Sequence, residues 1–380
     1  MHVFVIATSG VYPFDEEGPA LALYAMLKGM LGVCHHGSEQ TEIDLLVGVG
    51  DPTYLNLRWH PLLNIPMISV LRTLRSVNGF KTTINGYSKF VSQLKSADIL
   101  FYNSHPTDLI TLPYPYFARL AGKKQIYYLH GSFVNERVDS VARRYFHMIA
   151  RSGFFDKVII PLESFKNYVS ELVCPYEIIA TIPECVVTSW YKDAREIPLE
   201  GDPAILYAGR LAQVKGVDVL LKAFSTIKSQ HPSAHLYLAG SGPLYTSLKK
   251  LCRKLEISKN VVFLGHVQHN KLRSLYRSSD IFVLPSNAEF MSISLLEAMA
   301  SKCAVIASDT AATEVVENGQ NGLVFPRGDF KTLGDKISIL ADDKVFRKNM
   351  SDKAYLTVKK KFDYRVVASK LIEEMHNILI

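Results

Sequence analysis

The chain has 380 residues, 48% of them hydrophobic, and a net charge of +7. That length exceeds what one core usually supports, so two domains are expected, and the apolar fraction fills two cores instead of leaving a disordered chain. The five cysteines (Cys34, Cys174, Cys185, Cys252, Cys303) are odd in number and lack CxxC spacing, which argues against a disulfide framework or zinc site and suits a reducing compartment.

The opening "MHVFVIATSG" has no basic n-region and no long apolar h-region, so it reads as a first strand, not a signal peptide. No run of about 18 apolar residues occurs, so no membrane span is expected. After the strand at 2–10 and Gly18, "PALALYAMLKGM" has a helical pattern. Strand-like runs follow at 42–50, 97–105, 124–132 and 155–163, with helical stretches between them. Such alternation predicts parallel βαβ units in a doubly wound sheet. Between Pro52 and Ala97 there is no acidic residue, while Arg58, Arg72, Arg75, Lys81, Lys89 and Lys95 are basic. A second basic and apolar stretch, 137–155, carries Arg143 and Arg144. An anionic membrane surface, nucleic acid or plain solvent could face such patches.

The C-terminal half alternates more cleanly. "AILYAG", "AHLYLAG", "NVVFLG", "DIFVLPS", "CAVIASD" and "GLVF" are short apolar strands of the kind buried on both faces. The charged stretch 191–203, with two prolines, marks the expected boundary. It gives an N-terminal domain, 1–193, and a C-terminal domain, 194–361; the last helix, 362–380, is expected to pack back on the first. The fold class is therefore α/β, two Rossmann-like domains facing across a cleft. Ligands of such sheets sit outside the carboxyl ends of the strands.

The stretch "NAEFMSISLLEAMASKCAVIASD" (287–309) holds the chemistry. Glu289 precedes an almost wholly apolar helix pattern and Glu297 lies inside it, where an unpartnered charge is costly. Strand "AILYA" ends at Gly209-Arg210, with Lys215-Gly216 just beyond. The two strand ends should open on one sheet edge. A helix start after Met291 adds unpaired N–H groups that favour phosphate. Arg offers a bidentate fork and Lys a compact charge for a diphosphate, while carboxylates accept from sugar hydroxyls. This is the chemistry of a nucleotide-sugar site. If Arg210 and Lys215 merely paired with the glutamates, charge balance would be explained but not placement.

From about residue 200 to 340 the chain resembles the GT-B retaining glycosyltransferases of family 4. The matching runs are "ILYAGRLAQVKGVDVLLKAF", "LYLAGSGPL", "VVFLGHV", "LYRSSDIFVLPS", "EFMSISLLEAMA" and "NGLVF", in the family's order. The family's Glu-x7-Glu motif falls on Glu289 and Glu297. The resemblance implies that Glu289 meets the donor sugar, Glu297 the ribose hydroxyls, and Arg210 and Lys215 the diphosphate. Backbone N–H groups of Phe290, Met291, Ser292 and Ile293, together with Val267, would complete the donor site. In the N-terminal half, Gly18 matches a glycine of the family's first loop, and His130, in "YYLHGS", the histidine facing the donor sugar. His105, in "YNSHP", is a weaker match. Phe290 and Ser292 stand where the family has glycines, which leaves the sugar open. "PECVV" (183–187) replaces the family's linker consensus, and nothing is carried over from it.

The expected activity is retaining transfer of a hexose-type sugar from a nucleoside diphosphate sugar to an acceptor hydroxyl, on a glycan or a lipid-linked glycan. A front-face mechanism assisted by the leaving phosphate is expected, because no nucleophile or base is evident. A nucleotide-sugar epimerase and a non-catalytic sugar-nucleotide binding protein are the alternatives. No cofactor or metal is expected: no DxD-type pair stands at a strand end, and Asp342-Asp343 lies far downstream. "GSGPLY" lacks the third glycine of a dinucleotide fingerprint. No nucleic-acid motif appears, so that partner is not expected. The expected location is cytoplasmic, peripheral on the inner membrane face if the basic patch binds lipid.

Overall fold

A computed structural model describes residues 1–7, 25–30, 42–47, 58–61, 94–103, 113–129 and 147–380. The chain forms two units, Met1–Glu184 with Tyr364–Ile380, and Cys185–Asp363. The changeover at Glu184 falls earlier in the chain than the charged stretch 191–203 from which the sequence boundary was drawn.

Among the described residues, the first unit has one parallel sheet of seven strands, ordered β3-β2-β1-β4-β5-β6-β7. The strands are β1 (His2–Ala7), β2 (Glu42–Val47), β3 (Arg58–Pro61), β4 (Ile99–Asn103), β5 (Lys124–Tyr128), β6 (Lys157–Ile160) and β7 (Ile179–Thr181). All five residues of β4 are buried, as continuous apolar runs in a covered parallel sheet should be. The edge strands β3 and β7 were not expected. "RWHP" is basic and holds a proline, which only an edge tolerates, and "IAT" is too short to show a period. Helices α1 (Pro113–Leu120) and α2 (Lys166–Leu172) cover one face, with Tyr114, Ala118 and Val169 packed into the core of Leu100, Tyr102 and Val158.

The second unit has a six-stranded parallel sheet, ordered β10-β9-β8-β11-β12-β13. Its strands are β8 (Ala204–Ala208), β9 (His235–Ala239), β10 (Val261–Gly265), β11 (Ile281–Leu284), β12 (Ala304–Ser308) and β13 (Leu323–Phe325). Its helices include α3 (Thr188–Lys192), α4 (Val217–Ile227), α5 (Tyr245–Lys254), α6 (His269–Ser278), α7 (Ile293–Ala300), α8 (Phe330–Asp342) and α9 (Lys344–Lys361). In α4, Val217, Leu220, Leu221, Phe224 and Ile227 form the apolar stripe that buries the helix on the sheet. The strand order reverses between β8 and β11, so the loops leaving these two neighbours diverge and a ligand can enter between them. Asp342 ends α8 and Asp343 caps α9, accepting from the N–H of Phe346; the pair is a helix junction.

The two ends of the second unit are clasped. Val186 pairs with Asp363 in an isolated bridge, and its N–H donates to the Phe362 carbonyl at 3.1 Å. Thr188 Oγ1 donates to Asp363 Oδ2 at 2.5 Å. The chain then re-enters the first unit through α10 (Tyr364–Asn377), which buries Val367, Leu371, Ile372 and Met375. Gly29 lies against it, where a Cβ would come within 2.4 Å of the Tyr364 carbonyl oxygen. Among the described residues, no helix is long and apolar enough to cross a membrane. Cys174, Cys185, Cys252 and Cys303 are buried and form no disulfide.

Candidate active site

The loops leaving β8 and β11 are stitched together. After β8 the chain makes a tight turn, Gln213–Lys215, closed by Gly216 at φ +61°. Gly216 crosses the end of β11 so closely that a Cβ there would lie 2.1 Å from the Pro285 carbonyl oxygen. Glycine is required for both the backbone angle and the approach. Asn287 reinforces the crossing, its backbone N–H donating to the Val214 carbonyl at 2.7 Å and its side-chain amide to that of Gln213 at 2.9 Å. The result is an ion pair of 2.6 Å between Lys215 Nζ and Glu289 Oε2. Ser286 Oγ donates to the same oxygen at 3.1 Å. The Ser286 carbonyl in turn accepts from Ser308 Oγ at 2.6 Å and Thr310 Oγ1 at 2.8 Å, which ties the Glu289 loop to the end of β12.

Arg210 is exposed just past β8, and its carbonyl accepts from the Tyr207 hydroxyl at 2.9 Å. Burial and the Glu289 charge push the Tyr207 phenol above its ordinary value, while Arg210 pulls it down. Arg210 and Glu289 thus act on the same hydroxyl, and the structure brings Arg210, Lys215 and Glu289 to one sheet edge. Phe290 and Met291 are buried, and Ser292 is the N-cap of α7 without a side-chain bond to the first turn. Its Oγ instead contacts Ser294 Oγ at 2.9 Å, ahead of half-buried Ile293. Val267 is half-buried in the turn between β10 and α6. Gly18, His130 and His105 lie outside the described residues. Among the described residues, no group of three or more His, Cys, Asp or Glu could hold a metal ion.

Glu297, on α7, is 3% exposed, so it is a buried charge and not an outward-pointing glutamate. Tyr191 Oη, from α3, donates to its Oε1 at 2.7 Å. His269 Nε2, at the start of α6, is 3.1 Å from the same phenol, and its Nδ1 lies 3.7 Å from Glu297 Oε1. Burial pushes the Glu297 carboxyl up to about 7, against the pull of Tyr191, Tyr276 and Arg273. Burial, aided by Arg273, pushes His269 down to about 3, so it is neutral and the 3.7 Å contact is not an ion pair. Sequence reasoning missed Tyr191, His269, Tyr276 and Ser286. The one cue was the aromatic pair Trp190-Tyr191 at the head of a charged stretch.

A pH-dependent stability follows. The folded-state carboxyl of Glu297, at about 7, lies above the ordinary value of 4.5. Its contribution is therefore fully present below 4.5 and lost as pH rises through 7. Glu297→Gln should be more stable, relative to the parent, at pH 8 than at pH 5 in urea unfolding. His269, depressed instead, weakens the fold as pH falls below 6.5, but it is present in both proteins and cancels. Parallel stability curves would show that Glu297 titrates normally.

Two parallel-sheet units of this strand order have the architecture of the GT-B fold. Residues 191–357 match the family model of glycosyl transferases group 1. An uncharacterized glycosyltransferase of Methanocaldococcus jannaschii is 33% identical over 181 residues, 47% of this chain and 46% of that protein. Alpha-D-kanosaminyltransferase of Streptomyces kanamyceticus is 29% identical over 157 residues, 41% of each chain. The chain spans about half the length of the curated relatives it matches. In structure it is similar to Anabaena HepE in complex with UDP, at TM-score 0.78 and 17% identity, covering 99% of this chain and 100% of that one. HepE with UDP-glucose gives a TM-score of 0.75, again at 17% identity and with the same coverage.

Proposed function

We propose that this protein transfers a sugar from a nucleoside diphosphate sugar to an acceptor hydroxyl with retention of configuration. The observation that carries the reading is the 2.6 Å pair of Lys215 and Glu289, with Arg210 beside it at the reversal of strand order. A lysine ammonium has three donors, so Lys215 can keep Glu289 and still take a phosphate oxygen. Arg210 supplies a second cation for the leaving diphosphate, and Glu289 accepts from a sugar hydroxyl. The N–H groups of Phe290 to Ile293, leading into α7, would meet the same charge. Fixed cations stabilise the departing diphosphate without a divalent ion, so activity should survive EDTA. HepE, crystallised with UDP and with UDP-glucose, supports a nucleotide-sugar donor.

The acceptor is a glycan or lipid-linked glycan, met at an anionic membrane surface on the cytoplasmic side. This part rests on the acid-free, basic stretch 52–97, most of which lies outside the described residues. A thermal-shift screen against UDP, GDP, ADP and their sugar conjugates tests the donor reading. One nucleotide series should raise the melting temperature by linkage, and no shift from any of them would end it. The same protein, sedimented with anionic liposomes at low salt, tests the membrane; failure to bind would leave a soluble acceptor.

A further inference from the structure

Tyr191 sits where the second unit begins, yet its hydroxyl ends inside a buried polar cluster of that unit. Tyr191 is 2% exposed, and Glu297 and His269 are each 3% exposed. A phenol has one proton. Since Tyr191 Oη gives it to Glu297 Oε1 at 2.7 Å, the contact with His269 Nε2 at 3.1 Å requires the histidine to donate. This assigns His269 as the neutral Nε2–H tautomer. The order of donation runs from His269 to Tyr191 to Glu297, and all of it points negative charge onto the carboxylate.

We propose that Tyr191 is a positioning residue for the donor: its phenol fixes the Glu297 carboxylate and keeps it an acceptor for the ribose hydroxyls. This inference rests on the glycosyl-transfer reading above. With Oε1 held by Tyr191 at 2.7 Å, rotation of the carboxylate is restrained, so its remaining acceptor capacity keeps one orientation for a hydroxyl. A buried carboxyl without such a donor takes up a proton and becomes a donor itself, which is the wrong partner for a ribose hydroxyl already bonded elsewhere. Burial has already pushed this carboxyl up to about 7, and Tyr191 is foremost among the groups that hold it down.

The groups around Glu297 can be named. Tyr191 faces it from α3, and His269, Arg273 and Tyr276 act on it from α6. Helix α9, also packed on α7, directs Arg347 to Asp280 and Asp352 to Lys302. Cys303, just before β12, acts on Tyr276. Trp190, next to Tyr191, stands edge-on to His269 with ring centroids 6.4 Å apart and lies under the Arg273 guanidinium at 4.4 Å. Of these groups, Tyr191 donates directly to Glu297 Oε1 at 2.7 Å, and Tyr276 also holds the carboxyl down.

The experiment measures affinity for UDP-glucose, GDP-glucose and ADP-glucose between pH 5.5 and 8.5, since their diphosphates have no group titrating near neutrality. For the parent protein, affinity for the preferred donor should fall as pH drops through the Glu297 titration. Tyr191→Phe should shift that fall to higher pH, with affinity at pH 7 lower by at least about threefold and converging on the parent at pH 8.5. Ser189→Ala, at an exposed position on the same helix, should leave the midpoint in place. A Tyr191→Phe protein with a lowered melting temperature but an unmoved midpoint would make Tyr191 a packing residue only and overturn the inference. A pH-independent affinity in the parent would overturn it as well, while leaving the transferase reading intact. If the parent binds none of the three, the transferase reading itself fails, and this inference with it.

Discussion

Lys215→Ala should lower kcat about a hundredfold while raising KM for the donor far less. Removing one preorganised group that meets developing charge typically costs this much. The charge on the departing diphosphate is largest in the transition state, so a contact to it appears mainly in kcat. The ammonium is already in place in the free protein: it is held at 2.6 Å by Glu289, on a turn that Gly216 locks against Pro285. No reorganisation is then needed at the moment of reaction. Lys215→Arg should recover part of the rate, because the charge returns but the compact geometry does not. Steady-state kinetics with the donor found by the thermal screen decide the matter. A variant with the parent's kcat and only a raised KM would mean that Lys215 binds the donor but does not stabilise its departure.

Gly216→Ala should destabilise the second unit by about 2 to 4 kcal/mol. Two penalties combine. A non-glycine residue at φ +61° is strained, and the new Cβ would lie 2.1 Å from a backbone oxygen that cannot swing away like a side-chain tip. Gly122 separates the two terms. It too has positive φ, +67°, but an added Cβ meets nothing within 4 Å, so Gly122→Ala should cost only about 1 kcal/mol. Denaturant unfolding of both variants gives the comparison. Equal losses would mean that the crossing of the two loops relaxes freely, and the placement of Lys215 against Glu289 would then have to be explained otherwise.

How much of this was legible in the sequence depended on the kind of signal. The runs that became β8 to β13 were apolar and evenly spaced, so the second sheet could be read strand by strand. The nearness of Arg210, Lys215 and Glu289 followed from a rule about strand ends, because all three sit just beyond carboxyl ends of adjacent strands. Edge strands were invisible, since "RWHP" and "IAT" carry no period to find. The burial of Glu297 was legible from its apolar neighbours, but its partners were not. Tyr191 lies far from it along the chain, in a stretch whose charges suggested a linker. In the fold that stretch opens with α3, packed on α6 and α7. A hydrogen bond between residues so far apart leaves no trace in local pattern. Asp342-Asp343 was ambiguous for the opposite reason: two adjacent acids fit a loop or a cap, and only the N–H of Phe346 tells which.

The clasp at Val186 and Asp363 bears on how the molecule is made. Because Tyr364–Ile380 belongs to the first unit, a ribosome releases that unit's last helix only after the whole second unit has emerged. The second unit has its own sheet and core, and its entry and exit segments are joined at the neck, so it has the wiring of a module inserted into a host. During synthesis it can close on itself while the host still waits for the residues that cover Gly29. Evolution can exchange such a module at its neck without rewiring what surrounds it. Excised at the same neck, it is the natural fragment in which to test whether a nucleotide binds to this unit on its own.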